Sequence, residues 1–216
     1  MFDAGRLLLI KKLRAPLSIA VFVFFCAGYY FYSNSFLQPV WLASFYLEQG
    51  NNKRIISVLS PFISSADAPP DIYYLMSTAY RNMDELEKAI AICRKGLEKY
   101  PESSKLLNSL GWAYINTAQP AKAKDCFESA LQNEPDNGMS YLGMAHVCLL
   151  KRKFSRARTH LVRVINTEKD PYYFFLMGET YRFPRDYQKA VKWYRTTLRR
   201  FPCSSYGYIG IGYVLT

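Results

Sequence analysis

The sequence predicts an all-α protein: a superhelical solenoid of helix-turn-helix units preceded by one transmembrane helix. Three observations point there. First, two stretches superimpose with a period of 34 residues: Tyr73, Met76, Ser77, Tyr80, Ala89, Cys93 and Pro101 recur as Leu107, Leu110, Gly111, Tyr114, Ala123, Phe127 and Pro135. A fixed period of this length marks stacked supersecondary units, none of which can bury its apolar face alone. Second, Pro101, Pro135 and Pro202 punctuate the repeat. Proline lacks an N–H and disfavours helix in the residue before it, so each one stops a helix. Third, residues 15 to 47 contain no charged side chain, and Pro16 to Tyr32 is almost continuously apolar. About 20 such residues cross a bilayer.

Taken in chain order, residues 1–14 read as a short cytoplasmic tail carrying Arg6, Lys11, Lys12 and Arg14. Residues 15–33 read as the transmembrane helix. Tyr29, Tyr30, Tyr32 and Trp41 lie where an interfacial aromatic belt sits. After the span no Lys or Arg occurs until Lys53, so the positive-inside rule places the tail in the cytoplasm and the rest outside it. This is a single-pass inner (cell) membrane topology, with the repeats periplasmic or extracytoplasmic. The alternative is a cleaved signal peptide, with Cys26, Ala27 and Gly28 as a small-residue cleavage site. No Asn-x-Ser/Thr acceptor occurs in the chain, which sits more comfortably with a bacterial than a eukaryotic compartment.

Residues 36–69 read as a degenerate unit. Leu42, Ala43, Tyr46 and Gly50 fit a first helix and its turn; a short second helix, Lys53 to Ile63, meets Pro61. Residues 70–203 read as four units, and 204–216 as a final half-unit helix. The small residues Ser77, Gly111, Ala145 and Gly178, with Ala89, Ala123, Ala157 and Ala190, let paired helices approach, while the spaced aromatics fill the gaps between hairpins. In the last helix Tyr208, Ile211 and Gly212 fall in register, Gly212 taking the packing position. That helix is apolar on both sides, the kind of patch that marks an interface, and homo-oligomerisation through it is expected.

The pattern resembles the tetratricopeptide repeat. Residues 104–137 carry nearly the whole signature: Leu107, Leu110, Gly111, Tyr114, Ala123, Phe127, Ala130 and Pro135. The unit from Gly138 is looser, with Cys148 where Tyr is usual and its closing proline, Pro171, two residues late. The next has Phe174, Met177, Gly178, Tyr181, Ala190, Tyr194 and Pro202. The resemblance implies a concave groove lined by the first helices. By register its residues are Tyr74, Thr78 and Arg81; Lys105, Asn108, Trp112 and Ile115; Met139, Leu142, His146 and Leu149; and Tyr172, Phe175, Glu179 and Arg182. Members of the family that clamp a C-terminal carboxylate use Lys, Asn and Arg here; of that kind this groove has Lys105 and Asn108. It is otherwise aromatic and apolar, which suits an extended peptide or an amphipathic helix from another protein.

The formal charge of +11 is uneven. Residues 33–138 hold 10 basic and 12 acidic side chains, and residues 139–216 hold 14 and 4. Lys151, Arg152, Lys153, Arg156, Arg158 and Arg163 cluster on one hairpin; Lys189, Lys192, Arg195, Arg199 and Arg200 cluster on the next. This is a solvated face or, on a tethered protein, a contact for anionic lipid headgroups. Nucleic acid is not expected, since no recognition motif accompanies the charge. Catalysis, a cofactor and a metal are likewise not expected: His146 and His160 have no ligand spacing, and no phosphate loop, nucleophile elbow or zinc motif occurs. Cys93, Cys126, Cys148 and Cys203 read as thiols rather than ligands, a Cys93–Cys126 bridge staying open. The expected role is a non-enzymatic scaffold that holds another protein at a membrane during assembly, secretion or biogenesis of a complex. Its alternatives are a cleaved, soluble periplasmic binding module and a non-catalytic regulatory subunit of a membrane enzyme complex.

Overall fold

The structure, a computed structural model, describes residues 36–165 and 170–215. The expected span at 15–33 and its tail lie outside them. Among the described residues no helix is long and apolar enough to cross a membrane. They form eleven α-helices, one 3₁₀ turn and no strand. The chain divides into two compact units, Met1–Ile72 and Tyr73–Thr216.

The first unit contains α1 (Leu37–Glu48), α2 (Asn52–Leu59) and the 3₁₀ turn Ser60–Phe62. Asn51 caps α2 by accepting from the Arg54 backbone N–H at 3.3 Å. The expected second helix, 53–63, stops at Leu59. Pro61 cannot supply an α-helical N–H and tightens the chain into the 3₁₀ turn. Ala43 on α1 and Ile55 and Leu59 on α2 are buried.

The second unit runs from within α3 (Pro70–Asn82) through α4 (Leu86–Lys99), α5 (Ser104–Asn116), α6 (Pro120–Asn133), α7 (Gly138–Leu150), α8 (Phe154–Val164), α9 (Pro171–Arg182), α10 (Tyr187–Arg200) and α11 (Ser205–Leu215). Helix starts at 70, 104, 138, 171 and 205 keep the sequence period. Ser103, Asn137 and Asp170 cap α5, α7 and α9, each taking a backbone N–H of the first turn. Pro171 opens α9 as its first helical residue, where its missing N–H costs nothing, rather than closing α8.

Every hairpin turns in the same way. Asp84, Ala118, Arg152 and Arg185 have φ between 54° and 67°, at one repeat position. Gly50, at φ 68°, holds that position in the first unit. The next residue's N–H reaches back to a first-helix carbonyl: Glu85 to Tyr80, Gln119 to Tyr114, Lys153 to Cys148, Asp186 to Tyr181 and Asn51 to Tyr46. This is the left-handed helix cap that glycine usually makes; four of these five positions use a residue that takes it at a cost.

Packing between hairpins follows side-chain size. A Cβ on Gly111 or Gly143 would lie 2.6 or 2.3 Å from the Phe127 ring, and one on Gly178 or Gly210 would lie 2.2 or 2.3 Å from the Tyr194 ring. Phe127 and Tyr194 are fully buried, each held between a glycine of its own first helix and one of the next. Where the second helix carries Leu161 instead, the flanking positions hold Ala145 and Leu176. Where it carries Cys93, they hold Ser77 and Ser109, which hydrogen-bond each other at 2.7 Å. Large rings meet glycines and smaller residues meet larger ones, so volume is conserved across each junction. The expectation for the last helix is corrected: Gly212 has no atom within 4 Å of its would-be Cβ, and Gly210 is the glycine packed on Tyr194. Gly212 sits at the position of Gly111 and Gly178, whose partner is a ring on the following helix; among the described residues none follows α11.

Candidate functional site

The first helices α5, α7 and α9 present one lane of aromatic rings. Trp112 meets His146 edge-on at 4.9 Å between centroids, His146 stacks on Tyr172 at 5.8 Å, and Tyr172 stacks on Phe175 at 6.1 Å. Tyr206 from α11 closes on Tyr172 and Phe175 at 5.1 and 5.5 Å. The rings of the first helices are half-buried and that of Tyr206 is exposed. Two cavities open along the lane. The first, of about 270 Å³, is bounded by Tyr74 and Arg81 of α3, Asn108, Ser109 and Trp112 of α5, Met139 and Leu142 of α7, and Tyr172 of α9. The second, of about 260 Å³, lies between His146, Leu149 and Leu150 of α7 and Phe175, Leu176, Glu179 and Phe183 at α9.

Most residues named by register fall here. Tyr74, Arg81, Trp112, Ile115, His146, Leu149, Tyr172, Phe175 and Arg182 are half-buried, and Lys105 and Met139 are exposed. Thr78, Asn108, Leu142 and Glu179 are buried, which differs from the expected open groove. Two of them are committed to internal bonds. Asn108 donates to Asn137 Oδ1 at 3.0 Å and accepts from the Ser140 hydroxyl at 2.7 Å, bracing the cap of α7. Glu179 accepts from Arg182 Nε and Nη2 at 2.8 and 2.6 Å and from the Tyr194 hydroxyl at 2.5 Å. Leu142 belongs to the core on one side and borders the cavity on the other. Tyr206 was missed as a groove residue, yet it is in register with Lys105, Met139 and Tyr172, so the period carried that signal.

The electrostatics of the lane follow from burial. His146 is pushed down to about 4 by desolvation, so it is a neutral ring at neutral pH. Its Nε2 and the Tyr172 hydroxyl share a hydrogen bond of 2.9 Å. Tyr172 is pushed up to about 12, first by burial and then by Tyr206, Asp170 and Glu179. The Arg182 guanidinium is held well above its ordinary value by its bonds to Glu179. Arg81 is moved the other way by burial, with only the Tyr74 phenol and the Cys93 thiol acting against it.

A second cavity type lies on the other side of the hairpins. Phe174, Tyr181, Lys189, Lys192, Trp193 and Arg200 are among the residues lining a space of about 390 Å³. The four cysteines of the described residues are free: Cys93 and Cys148 buried, Cys126 half-buried and Cys203 exposed. Burial pushes the Cys126 thiol up to about 11, the direction that makes a thiol inert. Among the described residues no group of three or more His, Cys, Asp or Glu side chains is placed to hold a metal ion.

These features define a class: stacked helical hairpins that present a lined groove. Tetratricopeptide-repeat family models match residues 70–102 and 92–125. The chain therefore carries tetratricopeptide repeats, folded as an all-α solenoid. It is 26% identical over 139 residues to the tetratricopeptide repeat protein 21 homolog of Caenorhabditis elegans, a match that covers 64% of this chain and 10% of that protein. The chain thus spans about a tenth of the length of that relative. Its fold is similar to that of TTC0263, a thermophilic tetratricopeptide-repeat protein of Thermus thermophilus, with a TM-score of 0.75 at 14% identity over 83% of this chain and 98% of that one. It is also similar to YrrB, described as a tetratricopeptide-repeat protein with an unusual peptide-binding site, with a TM-score of 0.58 at 14% identity over 82% and 91%.

Proposed function

We propose that this protein is a non-catalytic scaffold, held at a membrane by residues 15–33, whose groove binds a peptide or amphipathic helix of a partner protein. The observation that carries this is the aromatic lane from Trp112 through His146, Tyr172 and Phe175 to Tyr206, with two cavities lined by its rings. Rigid, half-buried rings are the side chains that dominate interface energetics, because they bring large area at little conformational cost. Two cavities opening along one lane suit alternate anchoring side chains of one bound segment. The uncharged apolar run at 16–32 and the four cations before it support a tail in the cytoplasm and repeats on the far side of the membrane. The cavity bounded by Lys189, Lys192, Arg200 and Trp193 supports contact of that face with anionic headgroups. Assembly, secretion or biogenesis of a membrane complex is the role such a tethered groove fits.

The test is binding of a library of acetylated, amidated nonapeptides, rich in Leu and Phe, to the full chain in detergent. Trp112→Ala and Phe175→Ala are expected to weaken the selected peptides by about 1 to 4 kcal/mol each, with the helical circular-dichroism signal kept. Peptides that bind both variants as they bind the parent would refute the groove. For the topology, a reporter active only outside the cytoplasm, fused after Thr216, is expected to be active.

A further inference from the structure

The period places the same pair of positions on every first helix, and two of the helices use them differently. Arg81 on α3 and Arg182 on α9 occupy one repeat position. Three residues earlier stand Thr78 on α3 and Glu179 on α9, also equivalent and both 6% exposed. On α9 the arrangement is closed: Arg182 Nε and Nη2 grip the two carboxylate oxygens of Glu179 at 2.8 and 2.6 Å. On α3 the acid is missing. Arg81 Nε is buried with no hydrogen-bond partner, and so are Thr78 Oγ1 and Trp112 Nε1. Arg81 and Trp112 both line the same cavity of about 270 Å³.

Buried donors without acceptors are rare and costly, more so on a cation that does not lose its proton. Burial moves Arg81 downward, with the Tyr74 phenol and the Cys93 thiol acting against it. Asn108, Ser109 and Tyr172 are engaged elsewhere. Asn108 braces the α7 cap, Ser109 bonds Ser77, and Tyr172 bonds His146. The Lys105 ammonium lies over the Tyr74 ring at 5.2 Å. The cavity is therefore lined by a guanidinium and by rings, with the Arg81 Nε donor unmatched.

We propose that this cavity receives the side-chain carboxylate of a Glu or Asp within the bound peptide, taking on α3 the place that Glu179 fills on α9. The Arg81 guanidinium supplies the charge-assisted bond, and the Tyr74, Met139 and Tyr172 side chains hold the apolar flanks of the ligand. The partner segment is thus an acidic residue set among aromatic and aliphatic ones. This rests on the groove being the peptide site, and it specifies what that site reads.

The experiment compares acetylated, amidated Leu/Phe-rich nonapeptides that differ only by Glu or Gln at the centre, with the full chain and two variants. On the parent, the Glu peptide is expected to bind about tenfold tighter or more than the Gln peptide. Arg81→Gln is expected to bring that ratio to about one. Thr78→Glu supplies the acid in cis, as Glu179 does. It is expected to abolish the Glu preference and to raise the melting temperature, a readout independent of any ligand. Equal binding of Glu and Gln peptides by the parent overturns this inference and leaves the groove standing. Binding of no peptide overturns both. A preference seen only with a free carboxyl terminus, or a lower melting temperature for Thr78→Glu, overturns the side-chain assignment.

Discussion

Gly143→Ala tests the size-matching that sets the stacking of hairpins. On helix propensity alone the change should stabilise α7 by about 1 kcal/mol. The structure predicts the reverse. A Cβ at Gly143 would meet Phe127 Cζ at 2.3 Å, with Cε1 and Cε2 at 2.4 and 2.5 Å, whereas unstrained carbon contacts lie at about 3.5 to 4.0 Å. The ring would have to move by more than about 1 Å. It cannot retreat, because Gly111 already approaches its other side so closely that a Cβ there would lie 2.6 Å away. Overpacking of this kind costs about 1 to 3 kcal/mol, and confinement from two sides puts the cost at the upper end. The net expectation is a loss of about 1 to 2 kcal/mol, after the propensity gain is set against the overpacking cost. The assay is urea unfolding followed by circular dichroism, in a cycle with Phe127→Leu. Phe127→Leu alone leaves a cavity and also destabilises. In the double variant the smaller leucine at position 127 leaves room for the added methyl at 143, so its loss is expected to fall short of the sum by about 1 kcal/mol or more. Strict additivity, or a Gly143→Ala protein more stable than the parent, would refute the volume argument.

Two further outcomes are expected. Ala118 holds a left-handed turn at φ 55°, where a side chain is strained and glycine is not, so Ala118→Gly should stabilise by about 0.5 to 1 kcal/mol in the same unfolding assay. His146 has a folded-state pKa near 4 against an unfolded value of 6.5. A depressed value means that the unfolded chain binds more protons between those limits, so the contribution of this ring is fully present above about pH 6.5 and is lost as pH falls toward about 4. Over that window His146→Phe should remove about 1 to 3 kcal/mol of pH dependence while keeping the aromatic lane, as measured by the difference between the two proteins' stability-versus-pH curves.

The period, the caps and the turns were legible in the sequence, because each is decided within one hairpin. Ser103 and Asn137 act on N–H groups three residues away, and the prolines act on their own helices. The groove register was legible for the same reason: a helix of fixed pitch sets which residues share a face. What each groove residue does was decided only by tertiary structure. Asn108 and Glu179 stand at groove positions, but their polar groups are satisfied by Asn137, Ser140 and Tyr194, partners that packing brings near. Gly143 shares its repeat position with Ser109, Leu176 and Gly210, so its own helix gives no reason for a glycine there. The reason is the volume of Phe127 on the preceding hairpin, just as Tyr194 explains Gly210. The sequence by itself thus determined the hairpins and their order, since local hydrogen bonds and apolar periodicity suffice for those. The interfaces between hairpins were decided by close packing, which couples residues 16 or more positions apart through volume rather than pattern.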